Sequence, residues 1–285
     1  MSKPILLGAV VYDPRVVLIW DIIKAYFNAS GCPMDYVFYS NYELQTRALL
    51  EGQIQIAWQS PLAWLDTVRQ APGSARAIAM RDTDRDRVSH IVCRTENAPA
   101  SVAELRGRRL GLGAWDSPQA ALIPLNLLRS AGLDPARDLD CRRFDVLVGK
   151  HGDHIGGERD ALDALKSGQL DACAMLDLNW EAWCADGSID RAGYRILATT
   201  GLFDHCVFAV LDHLEPDRED HWLRVLFSMD YSNPDHREMM DMEGLKAWLP
   251  GRTSGFAELS RAVHDENFFE RRDAGEWSTA AGKVR

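Results

Sequence analysis

Gln53-Ile54-Gln55-Ile56-Ala57-Trp58-Gln59-Ser60-Pro61 is the stretch that decides the fold. Residues 53–58 read as a buried strand. Ser60-Pro61 then reads as a helix start, with serine at the N-cap and proline at the first helical position. The same strand, polar cap and proline recur at Asp13-Pro14, behind the apolar run 5–11, and at Ser117-Pro118, behind residues 109–113. In open α/β sheets the carboxyl ends of the strands face the ligand crevice, where helix N-termini offer free N–H groups and a positive dipole. Any one of these starts is what a capped helix requires anyway; three together predict a crevice for one small polar ligand. Trp58 and Trp115, just ahead of two of the prolines, are either walls of that pocket or covers for the sheet edge.

Outward from these starts, strand-like and helical stretches alternate along the whole chain. Strand-like runs include residues 35–39, 88–94, 143–148, 171–176, 194–199 and 206–211, and helical runs include 15–29, 42–50, 119–130, 158–167 and 218–229. That alternation predicts an α/β protein with largely parallel sheets flanked by helices. The polar, aperiodic residues 270–285 read as a flexible tail.

With 285 residues, 46% hydrophobic and 26% charged, the composition is that of a globular protein large enough for two lobes. Acids outnumber Lys and Arg 42 to 32, a net charge of −10. An acidic balance argues against nucleic acid and anionic membrane surfaces as partners, and no apolar run approaches the ~20 residues of a membrane span. Six cysteines without paired spacing suit reduced thiols. The opening residues carry no export signal, so the expected location is cytoplasmic, or periplasmic for a chain whose leader has been removed. The mixed-sign run Asp82-Thr83-Asp84-Arg85-Asp86-Arg87 reads as an exposed loop.

Residues 41–63, the segment Ala103-Glu104-Leu105-Arg106-Gly107-Arg108-Arg109-Leu110-Gly111-Leu112-Gly113, residues 128–135 and Leu165-Lys166-Ser167-Gly168-Gln169-Leu170-Asp171-Ala172 carry a resemblance. They resemble the phosphonate/phosphate-binding proteins of ABC importers, a branch of the type 2 periplasmic-binding-protein fold. The resemblance implies two lobes, residues 1–88 plus 207–285 and residues 89–206, with the ligand clamped between them. Where that family's loop carries a run of hydroxyl residues, this chain keeps Ser117, with Asp116 and Gln119 beside it. The family also carries a histidine in the loop of Lys150-His151-Gly152-Asp153-His154, so His151 or His154 is its counterpart.

Two functions follow as expectations. In the first, the chain binds a small polar, anionic metabolite through Tyr12, Asp13, Trp58, Gln59, Ser60, Trp115, Ser117, Gln119, His151 and His154. An ABC permease is then a partner if the chain is exported. In the second, a cytoplasmic lyase, decarboxylase or iron-dependent synthase uses His151, His154, His205 and Asp116 for proton transfer. Alternatively His151, His154, His205 and Cys206 hold iron or zinc, with Asp13, Asp116 and Asp204 as accessory carboxylates and His90 nearby. Breadth of resemblance favours the binder.

Overall fold

A computed structural model describes residues 3–153 and 156–276, which fall into two units. The first consists of residues 1–86 and 204–256, the second of residues 87–203 and 257–285. In chain order the strands are β1 (Ile5–Val10), β2 (Met34–Tyr39), β3 (Ile56–Gln59), β4 (Arg76–Arg81), β5 (Ser89–Arg94) and β6 (Arg109–Leu112). β7 (Asp140–Arg143), β8 (Ala172–Leu176), β9 (Tyr194–Thr199), β10 (Val207–Val210) and β11 (Trp248–Pro250) complete them.

In the first unit the sheet order is β11-β4-β10-β3-β1-β2. β1 runs parallel to β2 and β3, whereas β10 is antiparallel to β3 and β4. The sheet is therefore mixed, because the segment that returns at Asp204 enters between two existing strands in the opposite direction. Helices α1 (Arg15–Ala29), α2 (Tyr42–Leu50) and α3 (Pro61–Gln70) follow the first three strands. Strand alternation feeds two helix layers. Ile56, Trp58, Phe208 and Val210 pack with Trp20, Phe27 and Trp222, while Ala57, Val207 and Ala209 pack with Leu49, Trp64 and Phe256.

The second unit has the order β7-β6-β8-β5-β9. β6 is parallel to β7 and β8, and β5 is antiparallel to β8 and β9. Its helices are α4 (Ile123–Ser130), α5 (Pro135–Asp138), α6 (Glu158–Lys166) and α7 (Asp177–Ala185). The expected strand at 143–148 ends at Arg143 instead; Val146 N–H turns back to Phe144 O, and Leu147 and Val148 are exposed.

The expected lobe boundary needs correction at the C-terminus. After α8 (Pro216–Phe227) and α9 (Pro234–Glu243) in the first unit, the chain from Ala257 belongs to the second. Helices α10 (Ala257–Asp265) and α11 (Phe268–Asp273) are tied there by the Phe268 ring 5.2 Å from Trp115 and by Glu266 accepting from Arg129 at 2.6 Å. Residues 270–273, expected to fray, are therefore helical, and the rest of that expectation beyond residue 276 lies outside the described residues.

Candidate functional site

At the carboxyl edge of the second unit's sheet, β6 runs into the loop 113–119. Ser117 caps the helix that follows: its Oγ accepts the Ala120 N–H at 3.1 Å, with Pro118 in the first position. The first turn is wide, with Leu122 N–H donating five residues back to Ser117 O at 3.0 Å. Wide turns of this kind collect at functional sites.

A second loop closes on this one. Asp116 Oδ2 accepts from Gly149 N–H at 2.6 Å, and Gln119 Nε2 donates to Gly152 O at 2.7 Å. From the strand side, Ser89 Oγ donates to Gln119 O at 2.6 Å. Contact at Gly152 is so close that a Cβ there would lie 2.3 Å from Ser117 Oγ, and its φ of +75° is glycine's region. Between Gly149 and Gly152, Lys150 and His151 are both buried, and His151 itself has φ 51°. Two basic side chains of this loop thus leave solvent. Gln119 is 2% exposed, and among the described residues its Oε1 accepts no hydrogen bond.

Several sequence-predicted residues serve the framework. Asp116 is 1% exposed and pins a loop, so the accessory-carboxylate role expected of it is filled by backbone binding. Trp115 N–H donates to Asp145, and its ring lies against Phe268. His90 Nδ1 lies 3.0 Å from Thr199 Oγ1, and burial pushes its pKa down. His154 lies outside the described residues.

In the first unit, Ser60 Oγ caps α3 by accepting Ala63 N–H at 3.1 Å, as expected. Gln59 departs from expectation: its amide donates to Thr67 and Thr46 and accepts from Thr67, binding β3 to α2 and α3 rather than a ligand. Trp58 is core, packed on Phe208 at 4.5 Å and under the Arg81 guanidinium. Tyr12 is half-buried against that core, and Asp13 accepts the Arg15 N–H at the start of α1. Asp204 is fully buried and gripped by both Arg252 donors at 2.6 Å, so it too is a framework carboxylate.

His205 and Cys206 sit together in this unit, Nδ1 to Sγ 3.1 Å, with Asp84 Oδ1 3.6 Å from the same nitrogen. These three have donor atoms within 4.8 Å of one another, the ligand types a metal takes. His151 belongs to the other unit. The charge of Asp84 is already matched, because the Arg81 fork reaches its two oxygens at 2.7 and 2.8 Å. Burial pushes the Asp84 carboxyl up, but Arg81, with His205 beside it, outweighs burial and holds it at about 2. Asp84 was expected on an exposed loop and is 1% exposed. The three-residue spacing from Arg81 is the signal that could have found it.

The residues from 11 to 256 match the family model described as ABC transporter, phosphonate, periplasmic substrate-binding protein. This chain belongs to that family. Among solved structures it is similar to PhnD1 of Prochlorococcus marinus (MIT 9301) in complex with methylphosphonate, 18% identical at a TM-score of 0.70, covering 93% of this chain and 98% of that one. A binding protein component of an ABC phosphonate transporter from Pseudomonas aeruginosa is 14% identical at a TM-score of 0.63, covering 96% and 89%. The periplasmic aliphatic sulphonate binding protein SsuA of Escherichia coli is 16% identical at 0.58, covering 95% and 88%. These likenesses show the fold, that of the type 2 periplasmic-binding proteins. A 45-residue segment, 15% of this chain, is 49% identical to an uncharacterized protein of Haemophilus influenzae (strain ATCC 51907 / DSM 11121 / KW20 / Rd). The chain spans 63% of the length of that curated relative. Among the described residues no helix is long and apolar enough to cross a membrane.

Proposed function

We propose that this chain is a solute-binding protein whose ligand is a small anion of the phosphonate or sulfonate type. One observation carries the reading: loop 149–152, whose Lys150 and His151 are buried, closes on the Ser117 loop through Asp116 and Gln119. Ser117 already accepts from Ala120, so its own hydroxyl proton is left to donate to an oxyanion. A lysine and an imidazole are the side-chain types that pair with an anion once it leaves water. Delivery to an ABC permease belongs to the same reading, and cell fractionation that finds the chain in the periplasm supports that step.

Titration calorimetry with methylphosphonate tests the binding. Ser117→Ala is expected to weaken it about 10-fold, as loss of one hydrogen bond to a charged group does. Lys150→Met is expected to weaken it further. Undiminished affinity in both variants would place the ligand elsewhere.

A further inference from the structure

We infer that Asp84, His205 and Cys206 form a site in the first unit for one divalent, thiolate-seeking cation of the zinc type. The site goes beyond the anion reading and does not depend on it, since none of the three residues belongs to the second unit. They are 1%, 8% and 2% exposed, and one ligating atom of each lies within 4.8 Å of the others. Carboxylate oxygen, imidazole nitrogen and sulfur together are the donor set of zinc and its neighbours in the first transition row, whereas magnesium and calcium take oxygen. Distances decide whether one ion can reach all three. Bonds of about 2.3 Å to sulfur and about 2.1 Å to nitrogen and oxygen, spread tetrahedrally, set sulfur about 3.6 Å from nitrogen and nitrogen about 3.4 Å from oxygen. Here Cys206 Sγ is 3.1 Å from His205 Nδ1, which is 3.6 Å from Asp84 Oδ1. Small side-chain rotations close the difference.

The ligands are braced by their neighbours, as metal ligands are. Arg81 holds Asp84 Oδ2 at 2.7 Å and Oδ1 at 2.8 Å, and the backbone N–H of His205 donates to Asp84 O at 2.7 Å. A carboxylate has about four lone-pair sites, so the Arg81 fork leaves capacity for an ion. Oδ1 also accepts the Cys206 N–H, at a longer 3.2 Å, which keeps it turned toward the other two ligands. Arg81 meets Glu243 as well, at 3.3 Å, so one guanidinium stands against two carboxylates and its charge does not bar a cation. On binding, the Cys206 thiol gives up its proton to solvent and bonds as thiolate, while Nδ1 and Oδ1 each contribute a lone pair. Residue 84 lies just before the chain leaves this unit at 86–87, and residues 205 and 206 lie just after it returns at 203–204. A shared ion therefore ties the outgoing segment to the returning one, which is a structural role.

Cobalt(II) is the probe, because a thiolate bound to it gives a charge-transfer band in the near ultraviolet that carboxylate and imidazole alone do not. The full chain, stripped with a chelator, is titrated with cobalt, and in parallel is refolded with cobalt present so that burial does not block entry. One equivalent should bind with that band, and zinc should displace it. Cys206→Ser should abolish the band, and His205→Ala should weaken binding at least about 10-fold. Cys141→Ser and Cys184→Ser, which alter the two less buried thiols, should leave the band unchanged. Zinc should also raise the thermal midpoint of the unmodified chain and not that of His205→Ala. No uptake of cobalt by either route, or a band that survives in Cys206→Ser, would overturn the inference. Should Cys206→Ser fail to fold, an unchanged cobalt affinity in His205→Ala would overturn it as surely.

Discussion

Arg81 and Asp84 stand three residues apart in a run of alternating charges, and Asp84 is turned fully inward. Glu243 is Arg81's other carboxylate partner, at 3.3 Å. Removing one member of a buried pair strands the other, so Asp84→Asn is expected to destabilise the fold by about 3 kcal/mol. Calorimetric unfolding should show the midpoint falling by about 10 °C; an unchanged midpoint would mean that Glu243 suffices for Arg81. The acid side follows by sign: the native carboxyl, held at about 2, lies below its ordinary 3.8. Its stabilisation is present above the ordinary value and is lost as pH falls towards 2. Asp84→Asn should therefore flatten the acid limb of the stability curve. From the chain alone the run 82–87, Asp84 with it, reads as an exposed loop, because burial of a charge is decided by partners. Arg81 is near in sequence, whereas His205 and the backbone of Cys206 arrive from more than a hundred residues away.

At the scale of elements, two of the three strand–cap–proline starts were legible because capping chemistry is local. Ser60 and Ser117 cap as read, whereas α1 begins one residue later than expected, with Pro14 in the cap position and Asp13 accepting the Arg15 N–H from behind it. The roles of Gln59 and Asp116 were not legible. Their partners, Thr46 and Thr67 for one and Gly149 for the other, lie on other elements that only the fold brings near. A short apolar run such as residues 143–148 satisfies strand periodicity as well as it satisfies a turn with exposed Leu147 and Val148. The loop-on-loop packing yields a matched pair of predictions. Gly132 has φ +81° with nothing within 4 Å of its imagined Cβ, whereas Gly152 has φ +75° and a Cβ that collides with Ser117. Gly132→Ala should cost only backbone strain, about 1 kcal/mol. Gly152→Ala should cost about 1–3 kcal/mol more and should weaken ligand binding. Equal midpoints for the two variants in thermal unfolding would refute the close approach.

For the whole molecule, the division of the chain into two α/β units was legible in the alternation of strands and helices, and its fine boundary was not. Residues 257–265 have the composition of any amphipathic helix, and which unit they complete depends on Trp115 and Arg129, far back in the chain. Deleting residues 257–285 should therefore destabilise the second unit while sparing the first. Hydrogen exchange should show lost protection in β6 and α4 and unchanged protection in β1 and β3. Equal loss in both units would count against this assignment.

The same connectivity sets an order of assembly. Because the chain passes between units three times, at residues 86–87, 203–204 and 256–257, neither unit is a continuous segment. On a ribosome the half begun first must wait for residues 204–256 to supply its central strand β10. It is nonetheless finished first, and the other half stays open until its clasp, α10 and α11, follows. A chain truncated soon after Phe256 and released from the ribosome would thus expose one closed half and one unclasped half to the cell's chaperones and proteases.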